Sequence, residues 1–186
     1  MQCTNDQNCA GGSTPTCDPA THQCVCRRPS ATNYVLDPGF DSAPLAPWNA
    51  YGSPDMVSWN STDADGCPWS GSALVINTEG DPSQCFPIPG GGTYYFGIRL
   101  QMPLYNGTSY CDVAFTTGTD CYGGAAGTWS GQGRIGPTAG TWDGPGWASF
   151  STSVVAAPGS QRGFVQCSLM QTKLDQVYVN PIANSF

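Results

Sequence analysis

Residues 92–102, GTYYFGIRLQM, carry a strict two-residue period: Tyr94, Phe96, Ile98, Leu100 and Met102 are apolar, whereas Tyr95, Gly97, Arg99 and Gln101 are amphipathic, small or polar. Alternation of this kind predicts a strand with one face in a core and the other open. Gly90–Gly92 precede it and Pro103 follows, so breakers bound the strand at both ends. Its open face sets a ring, a gap, a guanidinium and an amide side by side. Such a face suits a pyranose, which has an apolar C–H surface and a rim of hydroxyls. The competing reading is an ordinary solvated sheet face.

Shorter alternating runs recur at 72–77, 109–116, 147–155, 163–170 and 174–179, separated by Gly, Pro, Asp and Ser clusters. In 109–116 the apolar set is Cys111, Val113 and Phe115, leaving Tyr110, Asp112, Ala114 and Thr116 outward; in 163–170 Val165, Cys167 and Leu169 point in. Helix is disfavoured, because there are 24 glycines and 16 prolines and only one lysine (Lys173) and one glutamate (Glu79). The predicted class is all-β: two antiparallel sheets packed as a β-sandwich, with a small disulfide-rich arm at the N-terminus.

That arm is residues 1–28, where Cys3, Cys9, Cys17, Cys24 and Cys26 stand among polar residues with almost nothing apolar. Crosslinks must hold such a segment. Residues 29–32 form a linker and 33–186 the main domain, with five more cysteines at 67, 85, 111, 121 and 167. Ten cysteines point to an oxidising compartment and hence to a secreted, extracellular protein. Cys24-Val25-Cys26 lacks the spacing of a zinc knuckle, and His22 is the only histidine. Cys111 and Cys121 flank a turn-rich stretch, which predicts a disulfide between them. Two odd sets of five predict one further bond from arm to body. No leader is visible after Met1, and no apolar run approaches the roughly 20 residues of a membrane span.

A net charge of −7 and a pI near 4.2 argue against nucleic acid and anionic membrane as partners. A Ser-His-Asp arrangement in the main domain is excluded, since His22 lies in the arm. Asp112 and Asp143 are the only carboxylates near the expected face, and neither sits in a hydrolase signature. The aromatics say more. Trp129 in Gly-Thr-Trp-Ser-Gly, Trp142 in Gly-Thr-Trp-Asp-Gly and Tyr122 in Cys-Tyr-Gly-Gly lie in glycine-rich stretches, where exposed rings are suited to sugar C–H faces and the alternative is a lid on the sandwich. For Trp59 and Trp69 the sequence leaves the choice open.

The opening NYVLDPGFDSAPLAPWNAYG, residues 33–52, resembles that of carbohydrate-binding modules of families 4, 9 and 22. The resemblance continues through Gly66-Cys67-Pro68 and Ser70–Ile76, Gln84–Ile88, Gly92–Phe96, Trp147–Pro158 and Leu174–Val179, over about 150 residues. The arm, with C-x5-C-x7-C-x6-C-x-C, resembles short cysteine-rich repeats found beside binding modules in secreted proteins of myxobacteria. The family resemblance implies a jelly roll that binds polysaccharide or oligosaccharide, without catalysis, on a concave sheet. That face would align Tyr95, Arg99 and Gln101 with Tyr110 and Asp112 on neighbouring strands, with Trp129 and Trp142 as loop platforms. Trp48 and Trp147 fall at positions the family packs. A monomer, or a piece of a larger secreted protein that delivers an attached enzyme or cell surface to a neutral polysaccharide, is the expected role. An adhesion jelly roll that binds a partner protein, and a small glycan-active enzyme, are the other readings. The resemblance also implies a structural calcium ion on Asp37, Asp41 and Asp175. Asp175 alternates with Val177 and Val179 and would point inward with them, which is expensive unless it is paired by the ion or by hydrogen bonds to the Asp37–Phe40 turn.

Overall fold

The computed structural model describes residues 16–18, 23–25, 33–41, 43–51, 56–67, 70–76, 80–102, 109–137 and 146–181. Its strands in chain order are β1 (Thr16–Asp18), β2 (Gln23–Val25), β3 (Asn49–Tyr51), β4 (Val57–Asn60), β5 (Ser72–Val75), β6 (Asp81–Pro87), β7 (Gly92–Gln101), β8 (Tyr110–Thr116), β9 (Trp129–Ile135), β10 (Trp147–Ala156), β11 (Arg162–Ser168) and β12 (Thr172–Asn180). β1 and β2 pair with each other. The rest form two antiparallel five-stranded sheets, β10-β7-β12-β5-β4 and β3-β6-β11-β8-β9. The all-β sandwich expected from the alternating runs is the observed fold.

The alternation of β7 places Tyr94, Phe96, Ile98 and Leu100 in the interior, where Phe96, Ile98 and Leu100 are fully buried. Val113 and Phe115 of β8, Val165 of β11 and Phe86 of β6 meet them from the opposite sheet. Each such side chain contributes about 1.5–3 kcal/mol on leaving water. Asn33 secures the chain's entry. Its amide donates to the Val177 carbonyl at 3.0 Å and its oxygen accepts the N–H of Val179 at 2.9 Å, while the Val177 N–H donates to the Pro38 carbonyl at 2.9 Å.

β12 departs from the expected pattern. Leu174 pairs with Leu100 and Asp175 with Arg99, but after a bulge Tyr178 pairs with Gly97 and Val179 with Phe96. Gln176, at φ 50°, is the inserted residue. It resets the alternation, so Asp175 lies on the Arg99 side of the sheet and Val177 on the core side.

The disulfides also differ from expectation. Cys111 is bonded to Cys167 and Cys121 to Cys85, not Cys111 to Cys121. Cys111 and Cys167 are direct cross-strand partners on the buried faces of β8 and β11, so the nearest thiol in space is not the nearest in sequence. Cys67 is disulfide-bonded too, to none of these four. The expected bond from arm to body involves arm cysteines whose side chains lie outside the described residues.

Candidate functional site

β7 and β8 belong to different sheets. The expected alignment of Tyr95, Arg99 and Gln101 with Tyr110 and Asp112 on one face does not form: the two groups look out from opposite sides of the sandwich. Alternation tells which face of its own sheet a residue takes, but not which sheet holds the strand.

On the β7 side the face is occupied by the protein itself. A Cβ at Gly97 would lie 2.3 Å from ring atoms of Tyr178, so that ring fills the gap read from the sequence as room for a ligand. The Tyr178 hydroxyl is held above its usual titration range by burial, which outweighs a hydrogen bond to Ser151. Arg99 donates to Asp65 at 2.6 Å and reaches the Gln176 amide oxygen at 3.4 Å, while Gln176 donates to the other oxygen of Asp65. The 63–65 segment lies over Asp175: the Ala64 N–H donates to Oδ2 at 2.7 Å and the Gln176 N–H to Oδ1 at 2.6 Å. Burial pushes the Asp175 carboxyl well above the ordinary carboxylate range, and the neighbouring carboxylate of Asp63 adds to the rise. Tyr95 and Gln101 are half-buried on the same face.

The opposite face is open and differently furnished. The outward residues of β8 and β11 are Tyr110, Asp112 and Ala114, and Arg162, Phe164 and Gln166; in register, Phe164 sits opposite Ala114 and Gln166 opposite Asp112. β9 adds Arg134 opposite Asp112, Gln132 opposite Ala114 and, past a bulge, Trp129 opposite Thr116. Of these outward residues, all but Tyr110 and Arg162 line a groove of about 520 Å³, within the range of small-ligand sites. Phe164 is its floor. Trp129 stands 6.1 Å from it at 59° between ring planes, and Tyr122 meets it edge-on at 5.6 Å and 82°. Tyr122 and Trp129 are 41% and 37% exposed, an investment of aromatic surface that packing does not account for. At the other end Arg134 holds Asp112 through two parallel bonds of 2.7 Å, and its guanidinium stacks on Tyr110 at 3.8 Å. The hydrogen bond to Asp112 raises the Arg134 pKa further, and the two opposite charges offset each other.

Two features build the wall that carries Tyr122. The segment after β8 crosses over β11, where the Cys121–Cys85 disulfide ties it to β6. Arg162 Nε donates to the Thr119 carbonyl at 3.0 Å.

Among the expected sugar contacts, Tyr110, Asp112 and Trp129 are thus together on this face, and Tyr95, Arg99 and Gln101 are not with them. Trp142 lies outside the described residues, as does Trp69. Trp48 is buried and donates to the Asp37 carbonyl at 3.0 Å; Trp59 donates to the Phe40 carbonyl at 2.8 Å and packs on the core. Sequence reading missed Phe164, Gln166, Gln132 and Arg134. The signal for the first two was present, since inward Val165 and Cys167 leave Phe164 and Gln166 outward.

The expected calcium ligands are not brought to one point. Asp175 faces Asp63 and backbone donors, and among the described residues no three His, Cys, Asp or Glu side chains meet at metal-ligand spacing. Asp37 and Asp41 remain neighbours. Asp37 Oδ1 accepts the Asp41 N–H at 2.7 Å, its Oδ2 is buried with no hydrogen-bond partner, and burial, with the Asp41 charge, raises its pKa.

No protein-family model matches the sequence, and no curated protein matches it. Solved structures do. A carbohydrate-binding module of family 61 in complex with β-1,4-galactotriose superposes with a TM-score of 0.52 at 15% identity, over 79% of this chain and 97% of that one. A xylan-binding domain of family 22 superposes at 0.50 and 15% identity, over 84% and 100%. The enzymatically active domain of bacteriophage CBA120 tailspike protein 4 gives 0.58 at 13% identity, over 81% of this chain but 22% of that one. The fold is thus that of carbohydrate-binding jelly rolls. No helix among the described residues is long and apolar enough to cross a membrane.

Proposed function

We propose that this chain is a non-catalytic glycan-binding module whose site is the outer face of β11, β8 and β9. The observation that carries the reading is the groove in which Trp129, Phe164 and Tyr122 offer apolar surface beside Asp112, Arg134, Gln132 and Gln166. Rings take the C–H face of a pyranose while amides, carboxylate and guanidinium take its hydroxyls. A neutral polysaccharide suits the site, because Asp112 cancels the charge of Arg134 and the chain as a whole is acidic. Asp112 is committed to Arg134 by two hydrogen bonds and is thereby poorly disposed to serve as a catalytic acid or base. The cysteine content fits an extracellular role beside an enzyme or cell surface.

Affinity electrophoresis against glucans, xylans, mannans and galactans tests the reading, with retardation and no released product expected on at least one. Trp129→Ala should weaken that binding about fivefold or more, since a lost stacking ring costs on the order of 1 kcal/mol. No retardation on any of them would count against the module.

Calcium remains a proposal for the Asp37–Asp41 turn alone, supported by the unpartnered buried oxygen of Asp37. Added calcium should raise the melting temperature, an effect lost in Asp37→Asn and kept in Asp175→Asn. Equal midpoints in calcium and in chelator would remove the ion.

A further inference from the structure

A second cavity, of about 740 Å³, opens at the side of the sandwich between β9 and β10. Its origin lies in the glycines of β9. A Cβ at Gly131 would come within 2.0 Å of the Val155 carbonyl oxygen, and one at Gly133 within 2.3 Å of Val154 Cγ2, so β9 and β10 touch only because these positions are bare. Beyond Gly133 that closeness is not maintained. From Arg134 to Pro137 on one side and Ser149 to Thr152 on the other, the space between the strands becomes a cleft.

Its lining repeats the chemistry of the groove. Pro137 and the half-buried ring of Phe150 supply apolar surface, Thr152 on the same face of β10 supplies a hydroxyl, Ser149 stands at the rim on the strand's other face, and Tyr110 forms a wall. Among the described lining residues Arg134 alone is charged, and it is neutralised by Asp112. Arg134 also lines the groove on the face, so the two cavities share a residue: the Arg134–Asp112 pair is a rib between them, 61% and 40% exposed.

We infer that the cleft between β9 and β10 is an additional subsite for the same neutral glycan. A chain seated on Trp129 and Phe164 passes over the Arg134–Asp112 rib and continues between Tyr110, Pro137 and Thr152, with Ser149 at the rim. The inference rests on the sugar-binding reading of the groove, and it assigns this module to extended chains with internal sugars rather than to single residues. Stacked on Tyr110 and paired with Asp112, Arg134 is held in place to hydrogen-bond hydroxyls on both sides of the rib.

Calorimetry with galacto-, cello- and xylo-oligosaccharides of three and six units tests this. In the series that binds, the hexasaccharide should bind at least tenfold more tightly than the trisaccharide. Ser149→Lys, at an exposed strand position where folding is not at stake, should bring the hexasaccharide down to the trisaccharide's affinity. In amide NMR spectra the hexasaccharide, but not the trisaccharide, should shift residues 149–152. Equal affinities for the two lengths, or a silent Ser149→Lys with unshifted 149–152 amides, overturns the subsite while a Trp129-dependent trisaccharide signal leaves the groove standing. Failure of every saccharide to bind overturns both.

Discussion

Arg99 shows how one residue's role is decided by what the chain lays beside it. Read from β7 alone it is an outward donor on an open sheet; in the fold it is 18% exposed and bound to Asp65, itself 15% exposed. Hydrogen bonds to charged groups contribute about 1.5–3 kcal/mol, and removing one partner leaves the other buried and unsatisfied. Arg99→Ala should therefore lower unfolding free energy by about 1–3 kcal/mol, measured by urea denaturation, and leave glycan affinity as in the parent chain. A variant that melts normally but loses binding would return Arg99 to the site. The same reasoning separates the tyrosines. Tyr178 is spent filling the space above Gly97, whereas Tyr122 keeps two-fifths of its surface in water.

Among elements, β7 was legible because breakers delimit it and its apolar set never lapses. β9 was not. Its sequence WSGQGRI has an exposed or half-exposed residue at every position but Ile135, so no alternation of apolar residues marks it. The bulge in β12 was equally invisible, since an inserted Gln looks like any polar residue until the register is seen. The segment after β8 is the element on which the site most depends. The Cys85–Cys121 bond fixes its position over β11 and, with it, the residue that follows Cys121. The double substitution Cys85→Ser, Cys121→Ser should weaken glycan binding severalfold while β8 and β11 remain joined through Cys111–Cys167, and it should lower stability by about 3–4 kcal/mol for a loop of this length. Calorimetry and thermal melting on the same sample read both effects. Unchanged affinity would show that Tyr122 holds its place without the bond.

For the molecule as a whole, the sandwich class and the six strands that carry alternating runs were readable from sequence, while the remaining strands and the pairing of sheets, which decides the site, were not. Short runs carry a face but no partner. The burial of acids sets the response to pH. Asp175 titrates higher in the folded chain than in the unfolded one, so its stabilising contribution is complete below its unfolded value near 3.8 and is lost as pH rises through the folded value. Denaturant midpoints should accordingly fall from mildly acid to neutral solution, and Asp175→Asn should flatten that fall; an identical slope in the variant would place the cause elsewhere.

The bare positions Gly131 and Gly133 have a consequence beyond the shape of the cleft. β10 ends one sheet and β9 ends the other, and each is a long strand with a free row of backbone donors and acceptors of the kind that recruits strands from other copies. Because those glycines let the two strands lie against one another as far as Gly133, the longest sheet margins among the described residues shield each other there, and the other margins among those residues are β3 and β4, three and four residues long. A chain that presents apolar rings to water is thereby protected from templating its own fibres.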